Sequence, residues 1–117
     1  MTRVVVVEDE PDIRRVVAEA LEDEGYEVAC AGDGRSGLEL VREAPADVAI
    51  VDLMMPELDG HGFLRECRED PRCASMQTVV ITAVTASRLD SVEADAVLTK
   101  PFDLNQLVDT VTELAPA

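Results

Sequence analysis

The chain has 117 residues, 47% of them apolar and three aromatic (Tyr26, Phe63, Phe102), with 25 acidic against 10 basic side chains and a formal charge of −15. That length supports one core, here built from Val, Leu, Ile and Ala, and the apolar fraction excludes a disordered tail. The acidity disfavours direct binding to nucleic acid or anionic lipid and suits a metal cation or a basic partner, while three cysteines without a CxxC pair exclude a disulfide framework and a zinc site. With no signal-like N-terminus and no long apolar span in the sequence, the expected location is the cytoplasm, away from membranes.

Arg3 to Val7 is a β-branched run with apolar residues on both faces, which predicts a central parallel strand. It runs into Glu8-Asp9-Glu10, and Pro11 then opens a helix carrying Ile13, Val16, Val17, Ala20 and Leu21 at helical spacing up to Gly25. Tyr26 to Ala31 reads as a second strand. Gly32-Asp33-Gly34 is a turn, and Leu38 and Val41 mark a shorter helix ending near Pro45. The third strand, Asp47 to Asp52, is closed off by Pro56 and the turn pair Asp59-Gly60. A helix from about Gly60 to Glu69 presents Phe63, Leu64 and Cys67. Gln77 to Thr82 is the fourth strand, and Ala94 to Thr99 a weaker fifth leading into Lys100-Pro101-Phe102. Asp103 is a good N-cap for a last helix striped by Leu104, Leu107, Val108, Val111 and Leu114. Five strands alternating with helices predict an α/β fold, a parallel sheet with right-handed crossovers and helices on both faces.

Parallel strands bring their carboxyl ends to one edge, where ligands bind in open α/β sheets. Glu8-Asp9, Asp52, Thr82 and Lys100 stand at those ends. Singly, each has a plainer reading: a turn cap for Asp52, a helix-dipole pair for Glu8-Asp9, a satisfied hydroxyl for Thr82. Together they form a site. Three close carboxylates repel one another by several kcal/mol unless a cation sits among them, and hard oxygen ligands select Mg²⁺ or Mn²⁺. One carboxylate is then a potential nucleophile toward phosphorus, with Thr82 and Lys100 suited to phosphoryl oxygens. Lys100 is the only lysine, the other nine basic residues being arginine, and the turn that holds it inward suits a cis bond before Pro101. His61 reads as a surface residue. Cys30, Cys67 and Cys73 read as small buried hydrophobes, with Cys73, in a loop, the expected exposed thiol.

Glu8-Asp9 after a Val-rich strand, Val51-Asp52-Leu53-Met54-Met55-Pro56, Asp59-Gly60, Ile81-Thr82-Ala83 and Thr99-Lys100-Pro101-Phe102 run in order along the whole chain. They closely resemble the receiver domain of two-component response regulators. The resemblance implies a flavodoxin-like, doubly wound five-stranded sheet in strand order 2-1-3-4-5 with five helices. It implies a phosphoacceptor switch, not a turnover enzyme, in which Asp52 takes a phosphoryl group from a histidine kinase, a phosphotransfer protein or a small phosphodonor. On the family pattern Asp9, Asp52 and the backbone carbonyl of Met54 hold Mg²⁺, Glu8 supports the ion, and Thr82 and Lys100 contact the phosphoryl group. The partners implied are that donor and a downstream effector protein or domain. The effector is met at the face made by the fourth helix, fifth strand and fifth helix, which also leaves room for a homodimer.

Several positions depart from the pattern. Glu8 stands where Asp is usual. Val97 occupies the place of the Tyr or Phe that swings inward when the family's threonine closes on the phosphoryl group. The 18 positions from Thr82 to Lys100 are about one helical turn short, so a fourth helix over 85–92, with only Leu89 and Val92 as apolar face, is expected to be short or poorly ordered. Met54 and Val84, at the two positions that gate water, are both apolar, which predicts a long-lived aspartyl phosphate. A phosphatase of the haloacid-dehalogenase type also uses an Asp and Mg²⁺ at such an edge but wants a second Asp where Met54 stands. The rival that remains is a pseudo-receiver, a protein-interaction module switched by partner binding alone. No effector domain follows in the sequence, which suits either a stand-alone regulator or a receiver cut from a longer protein.

Overall fold

In the computed structural model, which describes residues 2–53, 59–73, 75–83 and 94–116, the run Arg3–Val7 forms strand β1 with Val4 to Val7 all fully buried. A strand that is apolar on both faces needs cover on both, and this one lies inside the sheet. β2 (Glu27–Ala31) and β3 (Val48–Asp52) flank it, β4 (Gln77–Thr82) pairs with β3, and β5 (Ala96–Thr99) pairs with β4. Every pairing is parallel and the order is β2-β1-β3-β4-β5, as expected.

Three of the described helices begin where an aspartate side chain accepts from the first free amides. α1 (Pro11–Asp23) starts on its proline and stops before Gly25, whose φ of +93° suits only glycine. Asp33 caps α2 (Gly34–Glu43) by accepting from the Ser36 N–H at 2.8 Å, and Asp59 caps α3 (Gly60–Glu69) through the Gly62 N–H at 2.9 Å. Asp103 caps the last helix (Leu104–Leu114) through the Asn105 N–H at 2.7 Å. A 3₁₀ turn, Pro71–Cys73, follows α3. Among the described residues these are the four α-helices, and none is long and apolar enough to cross a membrane. The expected helix over 85–92 lies outside the described residues.

Period-two alternation splits the core. Val5, Val7, Ala49, Val51 and Val80 face α2 and α3 around Phe63, while Val4, Val6, Val48, Ile50, Val79 and Ile81 face α1 and the last helix around Leu21 and Leu107. Three strands start later than the sequence suggests because polar groups take the first ladder positions. The Tyr26 N–H donates back to the Leu21 carbonyl at 3.2 Å, Asp47 accepts from the Arg3 N–H at 2.9 Å, and Asp95 accepts from the Thr78 N–H at 2.7 Å. The Lys100–Pro101 bond is cis. Expectation fails for the thiols: Cys73 is buried in the 3₁₀ turn against Cys67, and Cys30, on the edge strand β2, is the exposed one.

Gly60 positions the end of β3. A Cβ there would lie 2.6 Å from both the Asp52 carbonyl oxygen and Leu53 Cα, which are backbone atoms unable to step aside as a side chain would. Its N–H donates to the Leu53 carbonyl at 3.2 Å, so α3 starts directly against the strand end. Gly60→Ala is expected to cost about 1–3 kcal/mol through overpacking, read from chemical denaturation. An unchanged midpoint would remove this contact as a constraint on Asp52.

Candidate functional site

The register of the strands assembles the site. Asp52, the last residue of β3, stands beside Ile81 of β4, and the ladder runs on past the strands, the Leu53 N–H donating to the Ile81 carbonyl at 3.4 Å and the Lys100 N–H to the Thr82 carbonyl at 2.8 Å. At the other side the Glu8 N–H donates to the Ala31 carbonyl at 3.0 Å. Glu8, Asp52 and Lys100 share the parity of Val6, Ile50 and Leu98, so they leave the sheet on one face. Thr82 has the opposite parity, that of Val80, and joins the group from β4 as a fully buried residue.

Glu8 is fully buried, and the Asp52 and Lys100 side chains are 4% and 16% exposed. Lys100 Nζ lies 2.9 Å from Glu8 Oε1 and 3.0 Å from Asp52 Oδ2, bonding well to the second; its line to Glu8 is an ion-pair contact without good hydrogen-bond alignment. The Glu10 N–H donates to Glu8 Oε2 at 3.3 Å. Oxygens of Glu8, Asp9 and Asp52 all lie within 4.8 Å of one another.

These contacts set the protonation chemistry. Burial, then the hydrogen bond and negative charge of Asp52, pushes the Glu8 carboxyl up to about 7 against the opposing pull of Lys100. Burial alone would lower the Lys100 ammonium, but its bonds to Glu8 and Asp52 outweigh that and hold it above its ordinary value. The lysine is therefore a fixed positive charge. Hard carboxylate oxygens at this spacing, with Glu8 Oε1 buried and poorly satisfied, fit a divalent cation of the Mg²⁺ kind. Asp52 is held beside a cation at a sheet edge, an arrangement suited to attack on a phosphoryl group.

Glu8, Asp9, Asp52, Thr82 and Lys100 thus reach one edge, as read from the sequence. Met54 and Val84 lie outside the described residues. Two contributors carry no obvious sequence signal. Arg14 Nη1 donates to the Glu8 carbonyl at 2.9 Å and fixes the turn out of β1, yet reads as an ordinary helix-surface residue. Gly60 reads as turn chemistry, and its role as a backbone spacer against Asp52 is visible only in three dimensions. Val97 lies on β5 with 37% of its surface exposed.

Known proteins resemble this chain in sequence and fold. The family model for the response regulator receiver domain matches residues 4–112. A response regulator receiver protein, CpdR of Brucella abortus (strain 2308), is 35% identical over 116 residues, covering 97% of both chains. The DNA-binding dual master transcriptional regulator RpaA of Synechocystis sp. (strain ATCC 27184 / PCC 6803 / Kazusa) is 34% identical, covering 97% of this chain and 49% of that one. The chain spans about half the length of several curated relatives that it matches. Among solved structures, the response regulator protein TrrA of Thermotoga maritima, in complex with Mg(2+)-BeF, superposes with a TM-score of 0.86 at 33% identity, covering 97% of this chain and 99% of that one.

Removing one of three crowded carboxylates relieves repulsion. With chelator present at pH 8, Glu8→Gln is expected to stabilise the protein by about 1–3 kcal/mol and to lessen the further stabilisation given by added Mg²⁺, both read from thermal unfolding. A destabilised variant with an undiminished Mg²⁺ response would show that Glu8 is not part of the acidic cluster's electrostatics.

Proposed function

The chain belongs to the response regulator receiver-domain family, and from that premise we propose that it is a phosphoacceptor switch, Asp52 taking a phosphoryl group from a histidine kinase or phosphotransfer protein. The observation that carries this is the Lys100 ammonium 3.0 Å from Asp52 Oδ2, with Glu8 and Asp9 beside it. In the reaction an Asp52 oxygen forms a new bond to phosphorus. The donor's P–N bond, or the P–O bond of an acyl phosphate, breaks, and the electron pair leaves with the donor. Asp9, Asp52 and the carbonyl of Met54 would hold Mg²⁺, with Glu8 supporting it; bound there, the ion would supply charge neutralisation at the phosphoryl oxygens. A Thermotoga maritima relative solved in complex with Mg(2+)-BeF supports Mg²⁺ as the ion. Lys100 offsets charge on the same oxygens, and the Thr82 hydroxyl donates to one of them.

Phosphorylation changes which effector protein or domain the chain binds, at the face that includes β5 and the last helix. Relatives described as transcriptional regulators support an effector that acts on transcription. The reading places the chain in the cytoplasm, with the phosphodonor and the effector as partners and a homodimer as one form of output. Val97 favours a second reading, the pseudo-receiver, because valine has no ring to move inward once Thr82 engages the phosphoryl group.

Intact mass after incubation with Mg²⁺ and acetyl phosphate separates the two. One added phosphoryl group on the wild type, absent from Asp52→Asn and absent with chelator, is the expected result. No adduct from acetyl phosphate or from a kinase would leave the pseudo-receiver. Once formed, the aspartyl phosphate is expected to decay slowly and Met54→Asn to shorten its half-life, since an amide can orient the attacking water. Rapid decay that is indifferent to this substitution would overturn the gating idea.

A further inference from the structure

At the edge of the sheet opposite Asp52, two thiols meet. Cys67 lies in the last turn of α3 and Cys73 closes the 3₁₀ turn. The chain between them folds back on itself, the Asp70 N–H donating to the Cys67 carbonyl at 3.2 Å and the Cys73 N–H to the Asp70 carbonyl at 2.9 Å. The side chains come within hydrogen-bonding reach, the Cys67 thiol donating to the Cys73 sulfur. Both residues are buried, 4% and 5% exposed, but both line a partly open cavity of about 460 Å³ with Leu64, Arg68, Met76 and Asp95. The cavity is ample for a small oxidant.

The two sulfurs are not equivalent. Burial raises both thiols above their ordinary value, Cys67 up to about 12; at Cys73 the bond from Cys67 and the Arg42 and Arg72 guanidinium groups oppose that rise, with Asp70 adding to it, while at Cys67 only Arg42 opposes it. Cys73 is the attacking sulfur and Cys67 the partner behind it.

We propose that Cys67 and Cys73 are a redox pair that closes to an intrachain disulfide on exposure to a hydroperoxide. The Cys73 thiolate attacks the peroxide, the O–O bond breaks, and Cys73 becomes a sulfenic acid as the peroxide is reduced to hydroxide or alkoxide. Cys67 sulfur then attacks Cys73 sulfur, the S–O bond breaks, and water leaves with the Cys67 proton. Two thiols and one hydroperoxide yield one disulfide, one water and one alcohol, or two waters when the oxidant is hydrogen peroxide. Both side chains belong to one buried cluster and line one cavity, six residues apart along the chain, and closure brings the sulfurs to about 2.05 Å.

The test treats the full, reduced chain with hydrogen peroxide, alkylates the remaining thiols and maps tryptic peptides. The expected product links the peptide 66–68 to the peptide 73–88 with loss of two hydrogens. It should form equally in Cys30→Ser, be absent from Cys73→Ser, and revert with dithiothreitol. Cys73 recovered as sulfinic acid beside reduced Cys67 would overturn the proposal. So would oxidation confined to Cys30, or a linkage found only between chains.

Discussion

The site depends on one ammonium group shared by two buried carboxylates. Lys100 Nζ sits 2.9 Å from Glu8 and 3.0 Å from Asp52, and it reaches them from a third strand end. Without it, two carboxylates with oxygens less than 4.8 Å apart would face each other at low dielectric. With it, the fully ionised cluster of Glu8, Asp9, Asp52 and Lys100 still carries an excess of two negative charges, which one divalent cation cancels. An incompletely neutralised pocket of this kind is one that a bound cation would complete. The cost to Glu8 is visible in its raised carboxyl pKa.

Nothing in this cluster is local in sequence; it exists because the sheet is parallel and in register. Even-numbered residues of β1, β3 and β5 leave the sheet on the face covered by α1 and the last helix. That parity sends Glu8, Asp52 and Lys100 the same way. A slip of one residue in any of the three strands would turn one member of the cluster to the other face. The all-valine centre of β1 and the fully buried β3 make such a slip costly, since each has apolar partners on both faces. The core is thus also the alignment device of the site. Gly60 extends it by letting the first turn of α3 rest on the backbone beyond Asp52.

Much of this was legible in the chain because the signals were redundant. Each strand was an apolar run ended by a polar residue, and a sole lysine among arginines pointed to the same edge as three acids. What escaped was of two kinds. Strand starts shifted by one or two residues because Tyr26 spends its N–H on the end of α1, and Asp47 and Asp95 spend their carboxylates on neighbours far away in sequence. Cys73 was misplaced because its short segment, Asp70 to Cys73, looks like a solvated loop. It is in fact tied to α2 by Asp70, whose carboxylate pairs with Arg42 of that helix and with Arg72 of its own turn, each at 2.9 Å. Pairwise contacts of that sort leave no periodic trace.

Val97 bears on how a phosphoryl group at Asp52 would be felt at a distance. Along β5 the residues alternate, Leu98 buried and Val97 and Thr99 exposed, so Val97 points away from the apolar face that anchors the strand. A valine there has a single stiff rotatable bond and little volume, and it cannot convert a movement of Thr82 into a large change of surface. Among the described residues, links to Asp52 include the Lys100 ammonium, whose own backbone N–H donates to the Thr82 carbonyl, and Gly60 against the end of β3. Both links are short and direct. They couple Asp52 to the β5 turn on one side and to α3 on the other. A switch built on them would transmit through small shifts of packed elements in place of a flipped ring.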